Sequence, residues 1–382
     1  MPIDWFHDII AHTDVVLLVA FGLVVGIQLI YYWAIFSRLA FYKAPDAAGG
    51  QPPVSVVICA RNEYANLEKN LPAILNQDYP DYEVVVVNDG SDDESDLLLH
   101  ELKLAHKRLK IINLQKDLNF FTGKKFPLAV GIRCAKHPIV VLTDADCIPE
   151  GPKWLSQIAS SFDSNAELVL GYGPLRKMPG FLNKIIRYET FFVALQYLSF
   201  ALIRKPYMGV GRNMAYKREL FFRNKEFTSH YGIPTGDDDL FVNQAASSKN
   251  TRVCIHQESW MTSDPKETTG EWYRQKKRHM VAGKYYNGRS KFFLGLFGIS
   301  QLAFYILFAL TMIFADLSTL GLYALILFGL RTISLLIIFF RAGKKLGQTR
   351  LSLFSPLFDL LLLGCSTIFA MASLFSNKSK WK

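Results

Sequence analysis

Four stretches of this chain are apolar for long enough to cross a hydrocarbon core about 30 Å thick. The first, Val15–Phe36, has Gln28 as its only strongly polar residue. The other three close the chain: Phe292–Phe314, Leu317–Phe340 and Leu353–Phe375. Between the two ends the pattern changes. Apolar residues come in short runs, Val54–Ala60, Val84–Val87, Lys110–Leu114 and Ile139–Leu142, with helical spacing between them, as near Leu67–Asn76. Continuous apolar strands alternating with helices predict a buried, mainly parallel sheet and hence an α/β domain. A linker with Pro and Gly, Ala44–Pro53, joins the first apolar stretch to that domain. The reading divides the chain into an anchor (1–44, span 15–36), a middle domain (45–288) and a C-terminal membrane region (289–382).

Charge orients these segments. Asp4, Asp8 and Asp14 precede the first stretch, and Arg38 and Lys43 follow it. The positive-inside rule then places the N-terminus outside and the middle domain in the cytoplasm. The first stretch is too long for a signal-peptide core and lacks a basic start and a small-residue cleavage site, so it is expected to remain as an anchor. Arg341, Lys344, Lys345 and Arg350 between the last two stretches belong on the same inner side. Four full crossings put Lys378, Lys380 and Lys382 outside, against the rule; a re-entrant or interfacial last segment removes the conflict. Arg331 and Asp359 fall inside apolar segments, where charge is costly. Either they pair with each other or they line an acceptor path.

Composition narrows the classes. Half the residues are apolar and 14% are aromatic, with 29 Phe, concentrated at the two ends. The net charge of +10 suits anionic lipid and phosphorylated substrates. No zinc-finger spacing or basic reading helix accompanies it, so nucleic acid is not expected as a partner. The five cysteines show no Cys-x-x-Cys pair, which argues against a disulfide framework and a zinc site.

The chemistry collects where the strands end. Arg61-Asn62-Glu63 follows the first strand, Asn88-Asp89-Gly90-Ser91-Asp92-Asp93 the second, and Thr143-Asp144-Ala145-Asp146 the fourth. Ligands bind beyond the carboxyl ends of such strands, and three acidic clusters in one crevice suit a nucleotide with a metal. Neither a P-loop nor a G-x-G-x-x-G follows a strand.

These runs together, from Pro53-Val-Ser-Val-Val-Ile-Cys-Ala-Arg-Asn-Glu63 through Val-Asn-Asp-Gly-Ser to Thr-Asp-Ala-Asp, resemble glycosyltransferase family 2 with its GT-A fold. The likeness covers about Pro53 to Lys284, and the membrane segments resemble those of the cellulose, chitin, hyaluronan and poly-N-acetylglucosamine synthase branch. It implies an α/β GT-A domain with a mixed, mainly parallel sheet flanked by helices, and transmembrane helices at both ends. It also implies an inner-membrane, multi-pass enzyme that moves a sugar from a nucleotide-sugar, a uridine diphosphate sugar in the family, to a polysaccharide or lipid-linked acceptor.

Residue roles follow from the same resemblance. Asp146 would touch a divalent metal, Mg²⁺ or Mn²⁺, which takes oxygen ligands, while Asp144 supports the nucleotide-sugar. Glu63 and Asp89 would hold the base and ribose in a pocket lined by Ala60 and Arg61; Asp89-Gly90 is also a turn former. Lys124 of Gly123-Lys124-Lys125 matches the family's Gly-Lys. In Thr235-Gly236-Asp237-Asp238-Asp239-Leu240 the base that takes the acceptor proton is Asp238, or Asp237 if Asp239-Leu240 aligns with the family's downstream Asp-hydrophobic pair; an acidic helix start is the simpler alternative. Gln275 and Arg278 fit Gln-x-x-Arg-Trp, with His279 in place of the Trp that stacks on the acceptor in processive relatives. Gly211 and Asn213 resemble a Gly-x-Asn segment near the acceptor. Phe181–Ile203 is a helix too short in its apolar run to span, expected at the membrane interface or, alternatively, in the core. So few spans make a lean channel, which calls for an oligomer or an export partner if the product crosses the membrane. A transporter, supported by Arg331 and Asp359, and an inactive scaffold are the competing classes.

Overall fold

The computed structural model describes residues 4–44, 50–115, 123–233, 235–315 and 319–374. They form two compact units, one built from Met1–Tyr42 with Asn287–Thr367, the other centred on Lys43–Tyr286. The chain opens with α1 (Asp4–Ile30), which continues through a π-helical turn, Tyr31–Phe36, into the short α2 (Ser37–Ala40).

The second unit begins with β1 (Val54–Ala60), α3 (Tyr64–Leu75), β2 (Tyr82–Asp89), α4 (Ser95–Ala105) and β3 (Leu109–Leu114). Next come α5 (Lys125–Cys134), β4 (Ile139–Asp144), β5 (Cys147–Pro149), α6 (Trp154–Ala159), β6 (Leu168–Gly171) and α7 (Phe181–Leu202). It ends with β7 (Met214–Lys217), α8 (Arg218–Arg223), α9 (Asp239–Ala245), β8 (Thr251–Cys254), β9 (Met261–Ser263) and α10 (Thr269–Gly283). Seven strands make one sheet in the order β3-β2-β1-β4-β7-β6-β8, and β5 pairs with β9 beside it. Among them β7 alone runs against the rest of the sheet.

The four expected strands form as β1 to β4, and the reason is burial. Every residue of β2 is buried, and Val54, Val56, Val57 and Val84–Val87 are 0% exposed. Each such side chain contributes roughly 1.5–3 kcal/mol on leaving water. The register then fixes the site: Cys59 pairs with Asp144 across β1 and β4, and Ala60 pairs with Asn88 across β1 and β2. The ends of β2, β1 and β4 therefore lie side by side. Because β7 is reversed, its beginning, not its end, reaches the same edge.

Among the residues of α7, none from Ile185 to Leu202 is exposed. Its buried positions include Ile186, Tyr188, Phe191, Leu195 and Leu198.

The other unit is completed by α11 (Gly288–Ala315), α12 (Thr319–Lys345), α13 (Thr349–Ser352) and α14 (Ser355–Leu374). Among the described residues three helices are long and apolar enough to cross a membrane, Thr13–Ala40, Gly288–Ala315 and Thr319–Lys345; Ser355–Ile368 is a shorter apolar helix. The tail lysines Lys378, Lys380 and Lys382 lie outside the described residues. Within this unit Arg331 and Asp359 form an ion pair at 2.7 Å, 1% and 3% exposed at their side chains. Asp359 also accepts from Gln301 Nε2 (2.7 Å) and Tyr305 Oη (2.8 Å), and Arg331 donates to Gln28 (3.2 Å). Gln28 in turn donates to Ser300 Oγ at 2.6 Å. Buried charge needs this kind of satisfaction, and the pairing removes the two residues that supported a transporter.

Candidate active site

At the carboxyl edge of the sheet lies a cavity of about 370 Å³. Its walls include Ala60, Arg61, Glu63, Asp89, Lys124, Asp144, Asp146, Gly211, Asp237, Asp238, Gln275, Arg278 and His279. Thirteen of the fourteen site residues singled out in the sequence thus meet in one place.

The fourteenth, Asn213, does not face it. Its side chain is 0% exposed. Nδ2 donates to the carbonyls of Tyr172 and Ser259, both at 2.7 Å, and Oδ1 accepts from Trp154 Nε1 at 3.0 Å. These three bonds hold the turn Gly211–Asn213 in place.

One end of the cavity is built from two strand-end loops tied together. Asn62, in the left-handed region at φ 56°, donates its N–H to Ser91 Oγ (3.0 Å) and accepts from the N–H of Asp92 (2.7 Å). Asp93 accepts from the N–H of Tyr64 at the start of α3 (3.0 Å). Of the acidic run after β2, Asp93 is therefore structural, while buried Asp89 lines the cavity. Burial raises the Glu63 carboxyl, and the Asn66 amide bound to it works against that.

Asp144 closes β4 and is ion-paired with Lys124. Burial by itself would raise the Asp144 carboxyl, but the adjacent Lys124 outweighs it and holds the group below its ordinary value. Asp146 is pushed the other way, by burial and then by Asp144. Ligand atoms of Asp144, Asp146 and Cys147 lie within 4.8 Å of one another. Cys147 is a buried thiol pushed well up, by burial first, and it donates to Asp146 at 3.2 Å. The donor set is thus two carboxylates, which fits a hard divalent cation sharing further oxygens with a substrate.

The next lysine has a different task. Lys125 is buried and donates to the carbonyls of His230 (2.6 Å) and Ile233 (2.8 Å). It tethers the segment that leads to the acid run. There Gly236 sits at φ 89°, and a Cβ would meet Leu240 at 2.5 Å, so only glycine fits the turn. Asp238 caps α9 and accepts from the N–H groups of Asp239 (2.7 Å) and Gly211 (2.8 Å). Burial, with Asp237 and Asp239 alongside, pushes its carboxyl up to about 8. Asp239 turns away to accept from Tyr286 Oη at 2.7 Å, and burial raises it to about 6. Among the described residues no hydrogen bond to the Asp237 carboxylate is found.

Gln275, Arg278 and His279 share one face of α10 by their spacing of three and four. His279 opens onto the cleft, yet protein crowds it. That crowding, with Lys276, Arg278 and Arg212, pushes it well below the usual imidazole value. Lys276 is engaged with Glu189 at 2.5 Å. The sequence reading missed Arg212, which also lines the cavity, and Gly173 beneath it. Its signal was present: Tyr172-Gly173 follows β6 as Gly211-Arg-Asn213 precedes β7, two glycine-bearing segments at one sheet edge.

Residues 55–222 match glycosyl transferase family 2. This chain carries a family 2 glycosyltransferase domain. The matched span holds β1 to β7 and the Asp144/Asp146 pair; the acid run and the Gln275–His279 face lie beyond it. An uncharacterized glycosyltransferase of Haemophilus influenzae is 29% identical over 207 residues, 51% of this chain and 60% of the relative. A poly-beta-1,6-N-acetyl-D-glucosamine synthase of Staphylococcus epidermidis is 28% identical over 164 residues, 41% of this chain and 37% of the relative. The chain thus spans less than two thirds of the length of either. Among solved structures, a mannosyltransferase of Pyrobaculum calidifontis in complex with GDP-Man and Mn²⁺ superposes with a TM-score of 0.55 at 19% identity, covering 91% of this chain and 98% of that one. The family 2 domain here has the GT-A fold.

Proposed function

We propose that the protein is a membrane-bound inverting glycosyltransferase that moves a sugar from a nucleotide-sugar to a saccharide or lipid-linked acceptor. One observation carries this reading: the strand-end carboxylates, Lys124, the acid run and the Arg278 face line a single cavity. The relatives' names support a glycosyl donor, and the neighbour crystallised with GDP-Man and Mn²⁺ leaves the base open between the uridine of the family resemblance and guanosine.

In this reading Glu63 and Asp89 hold the nucleoside, with Ala60 and Arg61 as the wall. Asp146, with Asp144 beside it, would hold a divalent cation, which when bound neutralises charge building on the leaving diphosphate. Lys124 and Arg278 add fixed positive charge there, and Gln275 a hydrogen bond. Asp238 is the base. It lies against Gly211 in the turn that resembles an acceptor segment, and two N–H groups fix its orientation. Its raised pKa matches proton abstraction near neutrality. Asp237 lies on the donor side, close enough to raise the Lys124 pKa. The helices at both ends would hold the domain at the inner membrane, on its cytoplasmic side by the charge rule. If the product crosses the membrane, a partner or oligomer would supply the rest of the path.

The test is nucleoside diphosphate release by detergent-purified protein against a panel of UDP- and GDP-sugars with membrane lipids as acceptors. Turnover of one donor, abolished by EDTA and restored by Mg²⁺ or Mn²⁺, is expected. Asp238→Asn should lower kcat by about a hundredfold or more, the usual weight of a general base. If Asp237→Asn does so and Asp238→Asn does not, the base is Asp237; no release with any donor would sink the enzymatic reading.

A further inference from the structure

The cavity carries a guanidinium that no role above uses. Arg212 lies between Gly211, whose N–H holds Asp238, and Asn213, which is locked by three hydrogen bonds. The backbone on both sides of it is therefore fixed. Its stem is laid across Gly173: a Cβ there would come within 2.2 Å of Arg212 Nε, 2.8 Å of Cδ and 2.9 Å of Cγ. The side chain is thus held along its length as well as at its root.

Its head is nearly unused. The guanidinium makes one hydrogen bond, from Nη1 to Ser263 Oγ at 3.3 Å, and Nε is buried with no partner among the described residues. No carboxylate of the described residues lies within 4.0 Å of it, although the cavity is rich in them. Lys124 and Lys276 in the same walls are ion-paired with Asp144 and Glu189. Arg212 is close enough to lower the carboxyls of both Asp144 and Asp146 and the imidazole of His279, so it stands where the two carboxylates and the α10 face converge. Three of the four N–H donors on Nη1 and Nη2 are unspent, and a rigid fork of such donors is suited to a phosphate.

We propose that Arg212 is a second diphosphate-binding arginine, acting with Arg278 on the nucleotide-sugar and on the leaving nucleoside diphosphate, and that Gly173 exists to let its side chain lie in place. The inference rests on the glycosyltransferase reading and adds a residue to its donor site. It also accounts for the unspent donors: the ligand, not the protein, completes them.

The experiment is calorimetric titration of the full-length protein in detergent with UDP, GDP, uridine and guanosine, in Mn²⁺ and in EDTA. Arg212→Gln should weaken binding of the preferred diphosphate by about ten- to hundredfold, the weight of charge-assisted hydrogen bonds, while its nucleoside binds within about twofold of wild type. Arg212→Lys, which keeps the charge and loses the fork, should fall between the two. Gly173→Ala leaves every charge in place and displaces only the stem. It should weaken the diphosphate as well, and combined with Arg212→Gln it should add nothing further. Thermal unfolding identifies a variant that has lost its fold. Diphosphate binding unchanged in Arg212→Gln, or lost equally for diphosphate and nucleoside in a folded variant, would overturn the proposal and leave the glycosyltransferase reading standing. A wild-type protein that binds none of the four ligands would sink both.

Discussion

Asp237, Asp238 and Asp239 are three identical side chains in succession, and the fold gives each a separate environment. Asp238 caps a helix and touches Gly211; Asp239 is held by Tyr286; Asp237 faces the cavity. Two pH effects follow. As the proposed base, Asp238 must lose its proton, so turnover is expected to rise with pH towards about 8. Asp239→Asn removes one of the neighbouring charges that raise Asp238, so the rising limb should move to lower pH, as a pH–rate profile would show. Stability runs the opposite way. A carboxyl raised from its ordinary value to about 8 in the folded state binds more protons folded than unfolded between those values, so its contribution is lost as pH rises. In EDTA, Asp238→Asn is therefore expected to raise Tm by a few degrees at pH 8 and hardly at all at pH 4, which calorimetry at the two pH values checks. Lys124 and Lys125 show the same division. Helical geometry at the start of α5 turns one toward Asp144 and the other toward the carbonyls of His230 and Ile233.

At the scale of elements, the helices of the terminal unit are joined by polar groups rather than by apolar packing alone. Gln28 on α1, Ser300, Gln301 and Tyr305 on α11, Arg331 on α12 and Asp359 on α14 form one hydrogen-bonded set. Phe304 lies against the Arg331 guanidinium at 4.5 Å. Removing one partner leaves the other charged and buried. Arg331→Met or Asp359→Leu alone should cost about 3–5 kcal/mol of stability, while the double variant recovers most of it. Unfolding in detergent, followed for the two single variants and the double, measures this; equal, additive losses would mean the pair does not act as a unit.

At the scale of the whole molecule, ligand and fold are linked. A nucleoside diphosphate with Mn²⁺ binds only the folded domain, so a concentration of about a hundred times Kd should add roughly 2.7 kcal/mol and raise the Tm of the family 2 domain. In EDTA the shift should shrink, because Asp146 and Asp144 then repel the phosphates. Much of this was legible in the chain. Unbroken valine runs read as buried strands, long apolar segments read as helices, and acidic residues at the ends of parallel strands share one sheet edge. Those are local rules of burial and backbone hydrogen bonding, and they specified the α/β domain, the terminal helices and the acidic strand ends; the other cavity residues were singled out by the family resemblance. Direction and partner were decided only by tertiary structure. The reversal of β7 carries Arg212 to the edge with Asp144, and Gly173, two residues past the end of β6, makes room for it. Asn213 is bonded to Trp154, Tyr172 and Ser259, α7 buries Phe191 and Leu198, and Arg331 pairs with Asp359 twenty-eight residues away. Which neighbour a side chain meets depends on strand order and helix packing among distant segments, and no run of residues contains that information.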